Sequence, residues 1–213
     1  MNSQEAEFHA RQVLARPIGE RTNWLVITGP PSAGKTTILR ELAARGFTVS
    51  HDVSRGHLES LLPQGGSKHQ IRQDEAALQG DILWKMLLTE GQLCVTETVF
   101  LDYGLPDNLA FWELGNLPLT GDVWRAAVRF RYRHIFLFDG LPFVDDNIRV
   151  ESSDYQKQMT DKLKLFYGAL GYSWTHVPAA PVRDRVAVVL NTLESIGEPA
   201  SSSELLGWLD RHE

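Results

Sequence analysis

Short apolar runs alternate with longer stretches in which apolar residues recur every three or four positions. "NWLVIT" (23–28) is a continuous apolar and β-branched run of strand length, and the helix-forming "ILRELAARG" follows it closely, ending at Gly46. "FTVSHD" (47–52) reads as a second strand, and "RGHLESLLPQGGS" as a short helix running into a glycine-rich loop. In "IRQDEAALQGDILWKMLLTEG", Ile71, Leu78, Ile82 and Met86 fall on one helical stripe that stops at Gly91. "LCVTETVFLD" (93–102) predicts a third strand, "PDNLAFWELGN" and "TGDVWRAAVRFRY" two helices, and "HIFLFDG" (134–140) a fourth strand. A loop (141–154), the helix "YQKQMTDKLKLFYGALG", the fifth strand and loop "YSWTHVPAAP" and the helix "VRDRVAVVLNTLES" complete the pattern.

Strands that alternate with helices build βαβ units, which predicts an α/β three-layer fold: a mostly parallel five-stranded sheet flanked by helices. Ligands of such sheets bind beyond the carboxyl ends of the strands. Without any assumption about activity, that rule selects Gly29 to Thr36, Asp52, Asp102 and Asp139 as rim residues. The predicted organisation is an N-terminal extension (1–21), one domain (22–196) and a C-terminal tail (197–213).

Composition narrows the classes. A 213-residue chain that is 43% hydrophobic and 23% charged suits one medium globular domain. Its net charge of −6 gives no global attraction to nucleic acid or to anionic membranes. "VRFRYRH" alternates Arg129, Arg131 and Arg133 with apolar residues, and in an acidic chain it reads as a solvated edge rather than a nucleic-acid patch. The one cysteine, Cys94, excludes an internal disulfide and a CxxC metal site, and it is expected in the core of the third strand. No apolar run reaches the roughly 18 residues of a membrane span, and the N-terminus lacks the basic start and apolar core of a secretory signal. A cytoplasmic protein is expected. Trp84, Trp112 and Trp124 lie on helical stripes and are expected in the core or a cleft wall, while His51 and His57 lack the partners of a metal site.

The chemistry sits in "ITGPPSAGKTT". It matches G-x-x-x-x-G-K-[ST] with Gly29, Gly34, Lys35 and Thr36, between a strand and a helix. A bend of small residues lets backbone N–H groups converge on an anion, and the helix adds its positive end. Pro30 and Pro31 have no N–H, so the donors are expected from Ser32, Ala33, Gly34, Lys35, Thr36 and Thr37. Lys35 is placed to reach the β- and γ-phosphates, and the Thr36 hydroxyl to bind Mg²⁺.

Phosphoryl transfer also needs a held metal and an oriented acceptor. Asp52 closes the second strand with Arg55 three residues on. Asp52 either takes the proton of an acceptor hydroxyl while Arg55 holds the substrate, or it caps the next helix and pairs with Arg55. Asp102 is favoured over Glu97 as the acid that supports the metal, because it ends its strand. Arg149, in "DDNIRVESSD", is either a lid arginine that steadies phosphoryl charge or a loop residue paired to Glu151.

Taken in order, "ITGPPSAGKTT", "DVSR", "VFLDYGLPDNLAF", "FLFDGLPFVDDNIRVES" and "GYSWTHVP…PVRDRV" resemble the P-loop AAA-type ATPase/kinase-like family typified by the ribosylnicotinamide kinase portion of the bacterial NAD-biosynthesis regulator. The resemblance runs from about Asn23 to Glu194. It implies a kinase-like fold, ATP (or GTP) with Mg²⁺, an acceptor-activating acid at Asp52, a lid at Arg149, an adenine side near Pro181 to Arg183, and a substrate acid at Asp107. Where many members read Asp-Arg-Gly, with an arginine that binds substrate or phosphate, this chain has Asp102-Tyr103-Gly104. The expected activity is a small-molecule kinase acting on a nucleoside-like or other small polar acceptor. The alternative is a nucleotide-dependent regulatory module; a homodimer is compatible with either.

Overall fold

The computed structural model describes residues 17–50, 75–141 and 153–196. Seven strands are present among them: β1 (Glu20–Arg21), β2 (Leu25–Thr28), β3 (Thr48–Ser50), β4 (Val99–Asp102), β5 (Phe130–Arg131), β6 (His134–Phe138) and β7 (Trp174–Val177). Six helices join them: α1 (Lys35–Ala44), α2 (Glu75–Gly91), α3 (Asp107–Leu114), α4 (Gly121–Ala127), α5 (Ser153–Ala169) and α6 (Val182–Ser195). The main sheet has the order β3-β4-β2-β6-β7, with every pairing parallel. The chain runs out from β2 to β3, returns to β4 and then crosses to β6 and β7, so its winding reverses at β2. That reversal opens a crevice beyond the end of β2.

Continuous apolar strands form here because both sheet faces are covered. Successive side chains alternate between faces. Leu25, Ile27, Phe100, Phe136 and Phe138 pack with Ile38, Leu39 and Leu42 of α1 and Val186 and Val189 of α6. Trp24, Val26, Leu101, Ile135 and Leu137 pack on the other side with residues of α2, α3, α4 and α5. α1 stops at the expected glycine: Gly46 has φ 90° and its N–H reaches the Ala43 carbonyl. No helix among the described residues is long and apolar enough to cross a membrane.

Several expectations are corrected. The third-strand segment is extended only over Val99–Asp102. Upstream of it the carbonyls of Cys94, Val95 and Thr96 accept from Trp24 Nε1, Asn23 N and Asn23 Nδ2 at 2.8–3.0 Å, so this backbone serves as a lid on the start of β2 rather than as ladder. Cys94 is therefore exposed, and Glu97 lies in an exposed turn rather than mid-strand. The helix predicted through Tyr132 ends at Ala127, and Phe130–Arg131 instead pairs in parallel with Glu20–Arg21 at the edge of the lead-in.

The three arginines are not a solvated edge. Arg129 is buried; Arg131 donates to the Leu170 and Gly171 carbonyls and lies 3.7 Å above the Tyr172 ring; Arg133 donates to the Ile196 carbonyl. Arg131 and Arg133 tie strand and helix ends together, because their long stems reach carbonyls at the C-terminal ends of α5 and α6. Trp112 is nearly buried, Trp124 packs against Phe166, and Trp84, though exposed, lines a surface cavity with Leu87 and Trp112. The short helix read after the second strand, His51 and His57 lie outside the described residues.

Candidate active site

The loop that leaves β2 is shaped by two glycines. Gly29 has φ 144°, and a Cβ there would stand 2.5 Å from the Phe138 carbonyl oxygen. Only a residue without a side chain lets the loop pass the end of β6 so closely. Ser32 (φ 62°) and Gly34 (φ 74°) are left-handed, two positions apart, and α1 starts at the next residue with Gly34 at its N-cap. This is the backbone of an anion-binding concavity leading into a helix N-terminus.

Lys35 is 6% exposed. Its ammonium donates to the carbonyls of Gly29 (3.0 Å) and Pro30 (2.9 Å) and lies 4.4 Å from the centre of the Tyr103 ring. Thr36 Oγ1 is within 3.4 Å of Asp102 Oδ2, at the end of the neighbouring strand. The register explains the approach: Asp102 sits beside Ile27, one step before the loop departs. The structure thus brings together Gly29, Ser32, Ala33, Gly34, Lys35, Thr36, Thr37 and Asp102 at one strand end. Asp139 ends β6 on the same rim, where its carboxylate meets His176 Nε2 at 2.8 Å. Asp52, Arg55 and Arg149 lie outside the described residues.

Two supports of the loop escape sequence reasoning. Arg185, 1% exposed, donates to the Ala33 carbonyl at 2.7 Å and packs over the Phe138 ring. Its signal was a cation in the first turn of α6, where the helix dipole disfavours positive charge and a partner is needed. Gln156, from α5, donates to the Pro31 carbonyl at 3.2 Å.

Beside the loop lies a cavity of about 390 Å³. Tyr103 lines it on the side of Lys35; Pro31, Ile82, Met86 and Phe111 make an apolar lining; Glu75, Gln79, Asp107 and Asn108 supply polar groups. Gln79 Nε2 donates to Glu75 Oε1 at 3.0 Å, which orients that amide on the rim. Asp107, 1% exposed, is held by three donors. Its oxygens accept from the Thr28 hydroxyl, the Tyr167 hydroxyl and Gly104 N–H. Burial pushes its pKa up, and those hydrogen bonds oppose the rise.

Deeper still, Tyr132 accepts from Leu105 N–H and donates to Glu90 Oε2 at 2.7 Å. Burial raises the Glu90 pKa to about 8, and raises those of the Tyr132, Tyr167 and Tyr172 hydroxyls around it. Polar residues thus form a rigid internal shelf under the cavity and the end of β4.

A parallel sheet of this winding, with a glycine-shaped phosphate loop at its reversal point and an acid at the adjacent strand end, defines a P-loop fold of the nucleoside-kinase kind. The AAA domain family model matches residues 24–185, and the chain belongs to that family. Among solved structures, a deoxyadenosine kinase from M. mycoides with products dCMP and dCDP superposes with a TM-score of 0.59 at 16% identity, over 82% of this chain and 100% of that one. NadR protein in complex with NR superposes with a TM-score of 0.64 at 17% identity; the match covers 93% of this chain but only 58% of the NadR chain. Thymidylate kinase from Candida albicans gives 0.50 at 11% identity, over 82% and 92%. At these identities the likeness establishes the fold. No curated protein matches the chain in sequence.

Proposed function

We propose that this protein is a small-molecule kinase that transfers the γ-phosphoryl group of ATP, with GTP as the alternative donor, to a hydroxyl of a nucleoside-like or other small polar acceptor. The observation that carries this reading is the cavity of about 390 Å³ whose lining residue Tyr103 also contacts the Lys35 ammonium. Its size is that of a small-molecule pocket, and its mixture of apolar lining and few polar groups suits a ring bearing hydroxyls. The kinases and NR-bound NadR among the fold neighbours support the same class.

In this reading the triphosphate lies on the loop from Gly29 to Thr37, and Lys35 offsets the charge on its terminal phosphates. Thr36 and Asp102, oxygen donors 3.4 Å apart, fit magnesium and would hold it. When bound there, magnesium neutralises phosphate charge. Asp52 takes the proton of the acceptor hydroxyl, Arg55 holds the acceptor, and Arg149 steadies the transferring group. Asp107 acts on the acceptor by fixing the wall of the cavity. The acceptor oxygen forms the new bond to phosphorus, the bond to the bridging oxygen breaks, ADP leaves, and the proton passes to Asp52. Positioning and electrostatics carry most of such catalysis.

The test is a phosphotransfer assay over a metabolite panel weighted to nucleosides, with ATP and GTP as donors. Phosphorylation of one or more ring-bearing alcohols is the expected result. A panel that draws no phosphate while nucleotide still raises Tm would overturn the kinase reading. It would favour a nucleotide-dependent regulatory module, to which the Tyr103 substitution in the family motif points.

A further inference from the structure

Tyr103 follows Asp102 at the end of β4 with φ 65°. A bulky aromatic residue is a genuine outlier in the left-handed region, and such strain persists only where its surroundings over-determine it. They do so here. The Tyr103 N–H donates to the Ile27 carbonyl at 3.2 Å, prolonging the β2–β4 pairing, and the next N–H, of Gly104, is held by buried Asp107 at 2.8 Å. The turn is pinned on both sides, and it sends the ring between Lys35 and the cavity.

On one side the ring centre is 4.4 Å from the Lys35 ammonium. On the other it meets the Phe111 ring edge-on, at 5.7 Å and 77°, and both rings line the cavity. Because the backbone is pinned, the ring moves only by side-chain rotation. Any change in its packing against Phe111 therefore changes its contact with Lys35. The face of an aromatic ring attracts a cation, so a ring held still also holds the ammonium.

We propose that Tyr103 is a positioning residue that couples occupancy of the cavity to the Lys35 ammonium, so that a ring-bearing acceptor and the nucleotide bind cooperatively. The inference rests on the reading of the cavity as the acceptor pocket. It also narrows the acceptor: a planar ring that packs on Phe111 and Tyr103 engages the coupling, whereas a ringless polyol does not. Coupling of this kind is reciprocal, each ligand tightening the other by one factor.

Two measurements on the full chain test this. The first needs no acceptor. In lysine-labelled protein the Lys35 Cε protons should be shifted upfield by the ring current in the wild type and in Tyr103→Phe, and the shift should vanish in Tyr103→Leu. Tyr103→Gly, which relieves the positive φ, supplies a ringless variant that is not burdened by strain. An unchanged Lys35 signal in both ringless variants overturns the link. The second is calorimetric titration of magnesium AMP-PNP with and without adenosine, guanosine, cytidine, uridine or ribose.

At least one nucleoside should tighten AMP-PNP about fivefold or more in the wild type and in Tyr103→Phe. The factor should fall to near one in Tyr103→Leu and Tyr103→Gly, and ribose should give none. A nucleoside that binds without changing AMP-PNP affinity, or that keeps its effect in the ringless variants, overturns the coupling and leaves the acceptor pocket standing. If no nucleoside binds at all, the acceptor reading and this inference fall together.

Discussion

Glu90 offers a quantitative check on the buried shelf beneath the site. It is 4% exposed, and its main polar partner is the hydroxyl of Tyr132. Removal from water raises its pKa from 4.5 to about 8, against the opposing pull of that hydrogen bond. Between those values the folded protein holds a proton that the unfolded chain has released. Stability from this group is thus fully present below pH 4.5 and is lost as pH rises toward 8, at about 1.4 kcal/mol per pH unit. From pH 6 to 8 the loss is about 2–3 kcal/mol, a large share of a domain's net stability.

Glu90→Gln imitates the neutral carboxyl, keeps an acceptor for Tyr132 and cannot ionise. Urea unfolding followed by tryptophan fluorescence, run in parallel from about pH 5.5 to 8.5, measures the difference between the two proteins. The histidines are common to both and cancel. The variant should gain on the wild type steadily across that range, by about 2 kcal/mol or more in total, and the gain should level off above pH 8. A difference that stays flat with pH would show that Glu90 is ionised in the folded protein and that the shelf is wetter than its geometry implies.

Lys35→Ala should remove nucleotide binding or turnover, read by calorimetry with magnesium ATP, because the loop then lacks its only cation; retention of both would detach Lys35 from the phosphates. Arg185→Ala should leave the Ala33 carbonyl without its donor, costing about 1–3 kcal/mol of stability and weakening nucleotide affinity. Nucleotide affinity equal to wild type would reduce Arg185 to a packing role. Asp52→Asn should spare ATP binding and slow transfer by at least ~100-fold, and full transfer activity would remove Asp52 from the mechanism.

Much of this protein was legible in order along the chain. The phosphate loop could be read because its requirements are local: glycines where the backbone turns left or passes a neighbour, no donor needed at Pro30 and Pro31, and a helix starting at Lys35. The parallel sheet could be read because strands buried on both faces are apolar throughout, as in "LVIT" and "HIFLF". Asp102 could be singled out because the end of a strand is visible as a change in polarity.

What the chain's own pattern left open depends on partners far away in sequence. "LCVTETVFLD" has strand propensity throughout, yet its first half gives its carbonyls to Asn23 and Trp24. Arg185 drew no reading of its own, because its partner, the Ala33 carbonyl, is 152 positions away. Asp107 could be picked out as an acid, but its buried partners Thr28, Gly104 and Tyr167 could not. Local rules reach a turn or a helix length. The order of the strands, the burial of a charge and the gap that became a cavity are set by which distant segments exclude water from one another, and that is decided only when the sheet is assembled.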